Sequence, residues 1–307
     1  MAPRVSAILP TRDRAQVLVR TINSVLKQSL ADWELVIVDD GSTDGTEKLV
    51  LSYSDPRIRF IRNTGRPGSA GARNFGVAQA RAPIIAFQDA GDEWPPRKLE
   101  TQLAAFDTLP ERVGVVYSPM TWLYWDGSTK QSTPPVFDHN DEGTWKRALG
   151  RGIGGIYLQA SLVRASSFHA VGGFDEDFNR WIDLDFFMRL ARNHRFQFVP
   201  GSAAIYHEME GGISNNADAM LDSYHKILRK FADDFAGNEE LLEPHRRAVA
   251  RGLAPTRHSS FSRGILLDLI RAGRSIPVDY VWLAVTFGGR PLYKVLRLAR
   301  AIWRRSV

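Results

Sequence analysis

The sequence predicts an α/β fold: a mostly parallel sheet flanked by helices, followed by a mainly helical C-terminal extension. Three observations predict it. Short apolar runs alternate with helix-like segments through the first hundred residues, acidic clusters follow directly on two of those runs, and from Asn216 onward the pattern is mostly helical. Strands that alternate with helices imply a parallel, doubly wound sheet. Such a sheet takes its ligands outside the carboxyl ends of its strands.

In chain order, Val5 to Leu9 reads as the first strand and Val17 to Leu26 as the first helix. Leu35 to Val38 is the second strand, with a turn and helix from Asp44 to Leu51. Ile58 to Ile61 and Ile84 to Phe87 are further short strands, separated by a glycine-rich turn and a helix through Asn74 to Ala80. The segment VDDGSTD follows Val38 and QDAGDEW follows Phe87, so two acidic clusters are expected to converge on one cleft. After the strand Val113 to Tyr117 and the aromatic stretch Trp122 to Trp125, the loop Asp126 to Gly143 is rich in Ser, Thr, Pro and Asp and is expected to be mobile. A second block follows. It holds a strand near Tyr157 to Val163, the turn VGGFDEDF, a helix from Asp183 to Arg192, and strands at Phe196 to Val199 and Ala203 to Tyr206. Helices are expected from near Ala217 and after Glu239, Phe261 and Arg290.

Composition narrows the function classes. A chain of 307 residues, 44% hydrophobic and 24% charged, can bury a sizeable core. It has no cysteine, which excludes disulfides, thiolate zinc sites and a cysteine nucleophile. The start, MAPRVSAILPTRDR, does not build a signal peptide. The apolar stretch Tyr280 to Phe287 falls far short of the roughly 20 residues needed to span a bilayer, so no transmembrane helix is expected. The net charge of +6 equals the charge of the last segment, where Arg290, Lys294, Arg297, Arg300, Arg304 and Arg305 meet no acid; the rest of the chain sums to zero. A basic tail argues for a local acidic surface and against a protein that wraps nucleic acid.

The segments LPTRDR, ELVIVDDGSTDGT, GARNFGVAQARAPIIAFQDAGDEW and VGGFDEDF, in this order, resemble glycosyltransferase family 2, with its GT-A fold, over roughly residues 3 to 210. The resemblance implies an inverting glycosyltransferase that moves a sugar from a UDP- or GDP-sugar to an acceptor hydroxyl on a glycan or lipid-linked acceptor, using Mg²⁺ or Mn²⁺. Its expected organisation is a GT-A domain over residues 1–215, with a nucleotide-binding half at about 1–118 and an acceptor-binding half at about 119–215. A helical region with a basic amphipathic tail then occupies residues 216–307.

Site residues follow from the match and from chemistry. Pro10, Arg12, Asp39, Asp40, Arg73 and Asp89 are the expected nucleotide-sugar contacts. A carboxylate ending a buried strand is costly unless satisfied, and ribose and base donors suit it; Ser42 and Asp44 are instead expected to cap the next helix. Arg73 either faces a diphosphate or pairs with a nearby aspartate, and the sequence leaves both readings open. Relatives of this family read Asp-x-Asp-Asp where this chain has Asp89-Ala90-Gly91-Asp92, so Asp92 is expected to take over the metal, with Asp89 and His207 beside it. The family's Glu-Asp-x-Asp-Leu appears as Ile182-Asp183-Leu184-Asp185-Phe186, which puts Asp183 on the position of the catalytic base. Residues two apart on a helix face different directions, so one of Asp183 and Asp185 is structural. Trp181, Gly172 and Gly173 are the expected acceptor contacts.

Two other readings stay in view. A nucleotidyltransferase would carry a glycine-rich basic signature after its first strand, where this chain has LPTRDRA. A degenerate sugar-binding domain would be consistent with Gly91 and Ile182, each standing where relatives have an acid; the intact Asp40, Asp89, Asp92 and Asp183 argue against it. The amphipathic tail, with Leu292, Val295, Leu296, Leu298, Ile302 and Trp303 gathered broadly on one side, either lies on anionic lipid or packs on its own domain. The expected location is cytoplasmic, including the inner face of the plasma membrane.

Overall fold

The structure is a computed structural model that describes residues 2–141, 144–151, 155–208 and 216–305, with the side chains at 144, 147, 150, 151, 239 and 297–305 outside the description. It divides into two compact units, Met1–Gly211 and Gly212–Val307, against an expected boundary at 215/216.

In the first unit, β1 (Val5–Thr11) and β2 (Trp33–Asp39) are almost continuously buried, as expected of strands covered on both faces. With β3 (Ile58–Arg62), β4 (Ile84–Phe87), β5 (Val113–Tyr117), β8 (Ser161–Arg164) and β9 (Arg195–Phe198) they form a sheet in the order β3-β2-β1-β4-β8-β5-β9. All pairs are parallel except those of β8, which runs antiparallel between β4 and β5. Helices α1 (Ala15–Leu26), α2 (Thr46–Leu51), α3 (Ser69–Ala78) and α4 (Lys98–Asp107) are the crossovers. α1 buries Leu18, Ile22 and Val25, each burial contributing about 1.5–3 kcal/mol.

The reversal at β8 positions the site. Because Ala86 pairs with Leu162, the residues just before β8 lie beyond the carboxyl end of β4, beside the acidic loop that starts at Gln88. The expected strand from Tyr157 starts later than anticipated, since Leu158–Ala160 form a 3-10 turn. β8 and β9 also return to the same sheet as β1–β5, so the two halves expected on either side of residue 118 share one sheet.

A second sheet of β10 (Ala204–His207), β6 (Met120–Leu123) and β7 (Thr129–Gln131) lies in the order β10-β6-β7. β7 falls within the loop expected at Asp126 to Gly143, and all three of its residues are exposed. Residues 142 and 143 of that loop lie outside the described residues. Glu93 exchanges backbone hydrogen bonds with Ile205 (3.0 and 2.8 Å), which ties the β4 loop to β10.

Helices α5 (Thr144–Arg151), α6 (Ala165–Ala170) and α7 (Ile182–Asn193) complete the unit. An aromatic cluster holds α7: the Phe174 ring lies 4.5 Å from Phe186 on α7 and 5.1 Å from Phe87 on β4. Such pairs contribute about 0.5–1.5 kcal/mol beyond their buried area.

In the second unit, α8 (Ala217–Lys230) starts at an Asn216 side chain that accepts from the Ala219 amide (3.0 Å). α9 (Ala232–Phe235), α10 (Glu243–Leu253) and α11 (Ser259–Arg271) follow. The last helix, α12 (Pro277–Arg305), starts earlier than the expected helix after Arg290 and breaks at Gly289, just before Pro291.

Candidate active site

The loops after β1 and β2 are stitched together. Ser42 Oγ accepts from the Asp13 amide (3.0 Å), Asp13 accepts from the Thr43 amide (2.7 Å), and Asp44 accepts from the amides of Ala15 (3.1 Å) and Thr46 (2.9 Å). The expected capping is not what they do: the N-cap of α2 is Gly45 without a side-chain cap bond, Ser42 turns to the β1 loop, and Asp44 accepts from the first amides of α1 and α2. Asp39, paired in register with Thr11 of β1, is buried and accepts from the Ser42 amide (3.1 Å). Asp40 accepts from Asn63 Nδ2 (2.7 Å) and the Gly68 amide (2.8 Å), the latter at the start of α3. Both carboxylates are thus met by the chain's own donors. Pro10 is partly buried near the end of β1, and Arg12 is exposed in the loop that follows.

The β4 loop is different. Arg73, 6% exposed on α3, pairs with Asp89 Oδ1, one of the two partners the sequence left open. Gln159, from the turn before β8, donates to Asp89 Oδ2 (2.5 Å) and, at 3.4 Å, to Asp92 Oδ2. Asp92 is 3% exposed, with a weak contact from the His207 amide (3.4 Å) on Oδ1. Burial, and then the charge of Asp89, push its carboxyl up to about 8. Gly91 between them takes φ +109°, a conformation that disfavours a side chain; its amide donates to Thr21 Oγ1 (2.9 Å).

His207 ends β10 beside this pair. Arg20 Nη1 lies 2.5 Å from its Nδ1 and Glu93 Oε1 2.7 Å from its Nε2. A guanidinium can only donate, so Nδ1 accepts and the proton sits on Nε2, facing Glu93. Burial, and then Arg20, lower its pKa. Nδ1 is taken by Arg20 and Glu93 stands beside Nε2, so His207 as a metal ligand requires one of these neighbours to move.

A divalent cation fits the carboxylates of Asp89 and Asp92: they are hard oxygen donors, and Asp92 is buried beside the like charge of Asp89. Among the described residues, no group of three or more His, Asp or Glu side chains is placed to hold a metal, which leaves phosphate and water oxygens to complete the coordination.

The second group of functional side chains is carried by α7. Trp181 precedes the helix in the left-handed region (φ +58°), and its carbonyl accepts from the Asp185 amide (3.0 Å). A bulky residue held in that region is a local cost of order 1–3 kcal/mol. Asp183, partly covered, accepts on Oδ1 from the Leu184 amide (2.9 Å), and burial raises its pKa while Arg73 lowers it and Asp89 raises it further. Asp183 is therefore in electrostatic reach of the Arg73–Asp89 pair. Asp185 points elsewhere, fully buried, and accepts from Arg189 Nε (2.9 Å) and Nη2 (2.7 Å) on Oδ2. Asp185 is the structural member of the two.

The turn that follows Gly172 and Gly173 is tied to α3. Asn74, next to Arg73, donates to the Phe174 carbonyl (2.9 Å) and to Glu176 (2.8 Å), and accepts from the Phe174 amide (2.9 Å). Gly172 and Gly173 both have positive φ, and a Cβ on Gly173 would stand 2.8 Å from Asn74 Oδ1 and 3.1 Å from the Phe168 ring. Sequence reasoning missed Gln159, Asn74, Arg20, Tyr157 and Arg180. Tyr157 and Arg180 both feel the charge of Asp183, and burial raises the Tyr157 phenol. No motif marks these residues; Asn74 alone lay inside a quoted segment, directly after Arg73.

Residues 6–165 match the profile described as Glycosyl transferase family 2. A UDP-Glc:alpha-D-GlcNAc-diphosphoundecaprenol beta-1,3-glucosyltransferase, WfgD of Escherichia coli, is 43% identical over 59% of this chain and 69% of its own length. A putative teichuronic acid biosynthesis glycosyltransferase, TuaG of Bacillus subtilis, is 41% identical over 33% of this chain and 41% of its own. Among solved structures, S. aureus TarS 1-349 in complex with UDP-GlcNAc superposes with a TM-score of 0.64 at 19% identity, covering 97% of this chain and 92% of that one. The mannosyltransferase PcManGT from Pyrobaculum calidifontis, in complex with GDP-Man and Mn²⁺, gives 0.59 at 20% identity over 96% and 83%. At that identity the structural likeness speaks to the fold.

Proposed function

Because the chain belongs to glycosyl transferase family 2, we propose that it transfers a sugar from a UDP- or GDP-sugar, with inversion, to a hydroxyl of a glycan or lipid-linked acceptor during envelope polysaccharide assembly. The observation that carries this reading is the convergence of Asp183 with Arg73 and Asp89 at the carboxyl ends of the strands. A carboxylate suited to take a proton then stands within electrostatic reach of a cluster suited to a diphosphate.

In this mechanism the acceptor hydroxyl attacks the anomeric carbon from the face opposite the diphosphate, and Asp183 takes the hydroxyl proton. Its Oδ1 is occupied by the Leu184 amide, which leaves Oδ2 for that hydroxyl. A raised pKa makes it a stronger base than a solvated carboxylate. Arg73 stands on the leaving-group side, where negative charge develops as the sugar bond breaks. Asp92 and Asp89 would hold the Mg²⁺ or Mn²⁺, which when bound neutralises the departing diphosphate. Trp181, Gly172 and Gly173 border the acceptor side.

The acceptor class is supported by the diphosphoundecaprenol-linked substrate in the name of WfgD, and by the C-terminal helix. Among the described residues no helix is long and apolar enough to cross a membrane. α12 nevertheless exposes Phe287, Val295 and Leu296 near the cations Arg290 and Lys294, a pattern suited to the surface of anionic lipid on the cytoplasmic face. Co-sedimentation with phosphatidylglycerol vesicles that survives Arg290→Glu/Lys294→Glu would remove this part of the reading.

The central test is calorimetric titration of UDP and GDP with and without Mn²⁺, repeated on Asp89→Ala and Asp92→Ala. Binding enhanced by Mn²⁺ and abolished by Asp92→Ala is the expected result. Absence of binding to either nucleotide under any condition overturns the transferase reading, and binding without sugar transfer to any lipid-linked acceptor points to a degenerate domain.

A further inference from the structure

Gln159 lies between two carboxylates and carries no charge. Its amide nitrogen has two hydrogens, and the two acceptors within reach are Asp89 Oδ2 (2.5 Å) and Asp92 Oδ2 (3.4 Å). The other oxygen of each aspartate has its own donor: Arg73 for Asp89, and the His207 amide for Asp92. A lysine or arginine in place of Gln159 would neutralise the pair and compete with a cation. A carboxylate would add repulsion to the empty site. A neutral double donor does neither.

The placement of Gln159 is itself built. The carbonyls of three consecutive residues are each caught by a side chain from the segment that follows Asp92: Trp94 Nε1 donates to Gln159 (2.8 Å), Gln102 Nε2 to Ala160 (2.8 Å) and Lys98 Nζ to Ser161 (3.2 Å). Trp94, Lys98 and Gln102 are spaced by four, one face of α4 and its approach. Lys98 is buried, with Nζ 4.1 Å from the Trp94 ring centroid, and burial lowers its pKa strongly. The strand that brings Gln159 is therefore fixed to the same stretch of chain that carries Asp92. Two residues earlier, Tyr157 lies within the field of Asp183.

From this geometry we propose that Gln159 is a positioning residue of the donor site: its amide sets the spacing of Asp89 and Asp92, and so how tightly they take a divalent cation together with a nucleoside diphosphate. The inference rests on the reading of this cleft as the donor site. Gln159 acts through the two aspartates, in the manner of the outer partners that orient ligating carboxylates, whose loss weakens metal binding roughly 10–100-fold.

The test is calorimetry of UDP and GDP, with and without Mn²⁺, on the full chain and on Gln159→Leu, Gln159→Glu and Trp94→Phe, with melting temperatures alongside. Gln159→Leu is expected to cut the Mn²⁺ enhancement about tenfold or more while metal-free nucleotide binding stays the same. Gln159→Glu adds a third carboxylate and is expected to strengthen direct Mn²⁺ binding while weakening metal-free binding of the anionic nucleotide. Trp94→Phe keeps the ring and loses one anchor, with a smaller loss of enhancement. An unchanged Mn²⁺ enhancement in Gln159→Leu overturns the proposal, as does a parallel loss of metal-free and metal-enhanced binding with the melting temperature, which marks a merely structural residue. If Gln159→Leu does not fold, Gln159→Glu decides: no gain in direct Mn²⁺ binding overturns the proposal. A wild-type chain that binds nucleotide without Mn²⁺ enhancement overturns this inference and the metal role of Asp89 and Asp92 while leaving the donor-site reading, whereas one that binds no nucleotide overturns the donor-site reading as well.

Discussion

The loops that follow β2 and β4 flank β1 on either side, and each offers two aspartates to the same end of the sheet, yet they are in opposite electrostatic condition. After β2, Asp39 and Asp40 accept from the amides of Ser42 and Gly68 and from Asn63, so their charge is spread over the chain's own donors. After β4, Asp89 is met by Arg73 and Gln159, whereas Asp92 has only weak contacts at 3.4 Å from Gln159 and the His207 amide, and burial with the charge of Asp89 drives it up to about 8. α7 repeats the contrast on one helix, with Asp185 met by Arg189 and Asp183 left with one backbone amide on Oδ1. Carboxylates that the chain satisfies fix shape; those it crowds or starves of partners are the ones left for a ligand or a proton.

Four substitutions test that division. Asp183→Asn is expected to lower kcat by about 10²–10⁴-fold with nucleotide affinity unchanged, measured as initial rates of sugar transfer. The wild-type rate is expected to rise with pH along a limb displaced above the ordinary carboxylate range, because the base acts ionised and burial raises its pKa. Asp185→Ala fails differently: it leaves Arg189 without its buried partner and is expected to cost about 3 kcal/mol in urea unfolding, with nucleotide affinity retained in the folded fraction.

Asp92→Asn separates the β4 loop from the β2 loop by pH. The folded-state pKa of about 8 lies above the ordinary 3.8, so the folded chain holds the extra proton between them. The stability this gives the metal-free protein is full below about pH 4 and is lost as pH rises through about 8. Thermal melts of metal-free wild type are expected to fall across that window, and those of Asp92→Asn to lose this component of the slope; identical slopes would place the repulsion elsewhere. Asp40→Asn is the smallest perturbation, expected to cost about 1 kcal/mol through the hydrogen bonds it weakens, and to reduce nucleotide binding less than Asp89→Asn does in the same titration.

The sequence displayed the half of this site that is local. Strands buried on both faces are plain apolar runs, so the parallel part of the sheet and the loops that follow it were legible, and the i, i+2 spacing of Asp183 and Asp185 already required them to part. What came from afar was not. Gln159 reaches Asp89 across 70 positions because β8 reverses direction. An antiparallel insertion leaves no trace in the local alternation of strand and helix. Its one trace was the polar Lys98 and Gln102 on the buried side of an amphipathic helix, donors that need a partner there. β7 escaped because three exposed residues carry no apolar alternation. The role of Arg73 stayed open because a guanidinium suits a phosphate and an aspartate equally, and its place inside α3, rather than ahead of the helix expected from Asn74, was not legible.

The crowding at Gly173 has a consequence for anyone reshaping acceptor choice by directed evolution. A side chain there would displace Asn74, and Asn74 is the link between the turn at Gly172 and Gly173 and the helix that carries Arg73. Libraries randomised at the turn would therefore be dominated by clones in which it has come loose from α3. Productive diversity is to be sought instead on the edge strand β7, whose three exposed residues can change without disturbing that link.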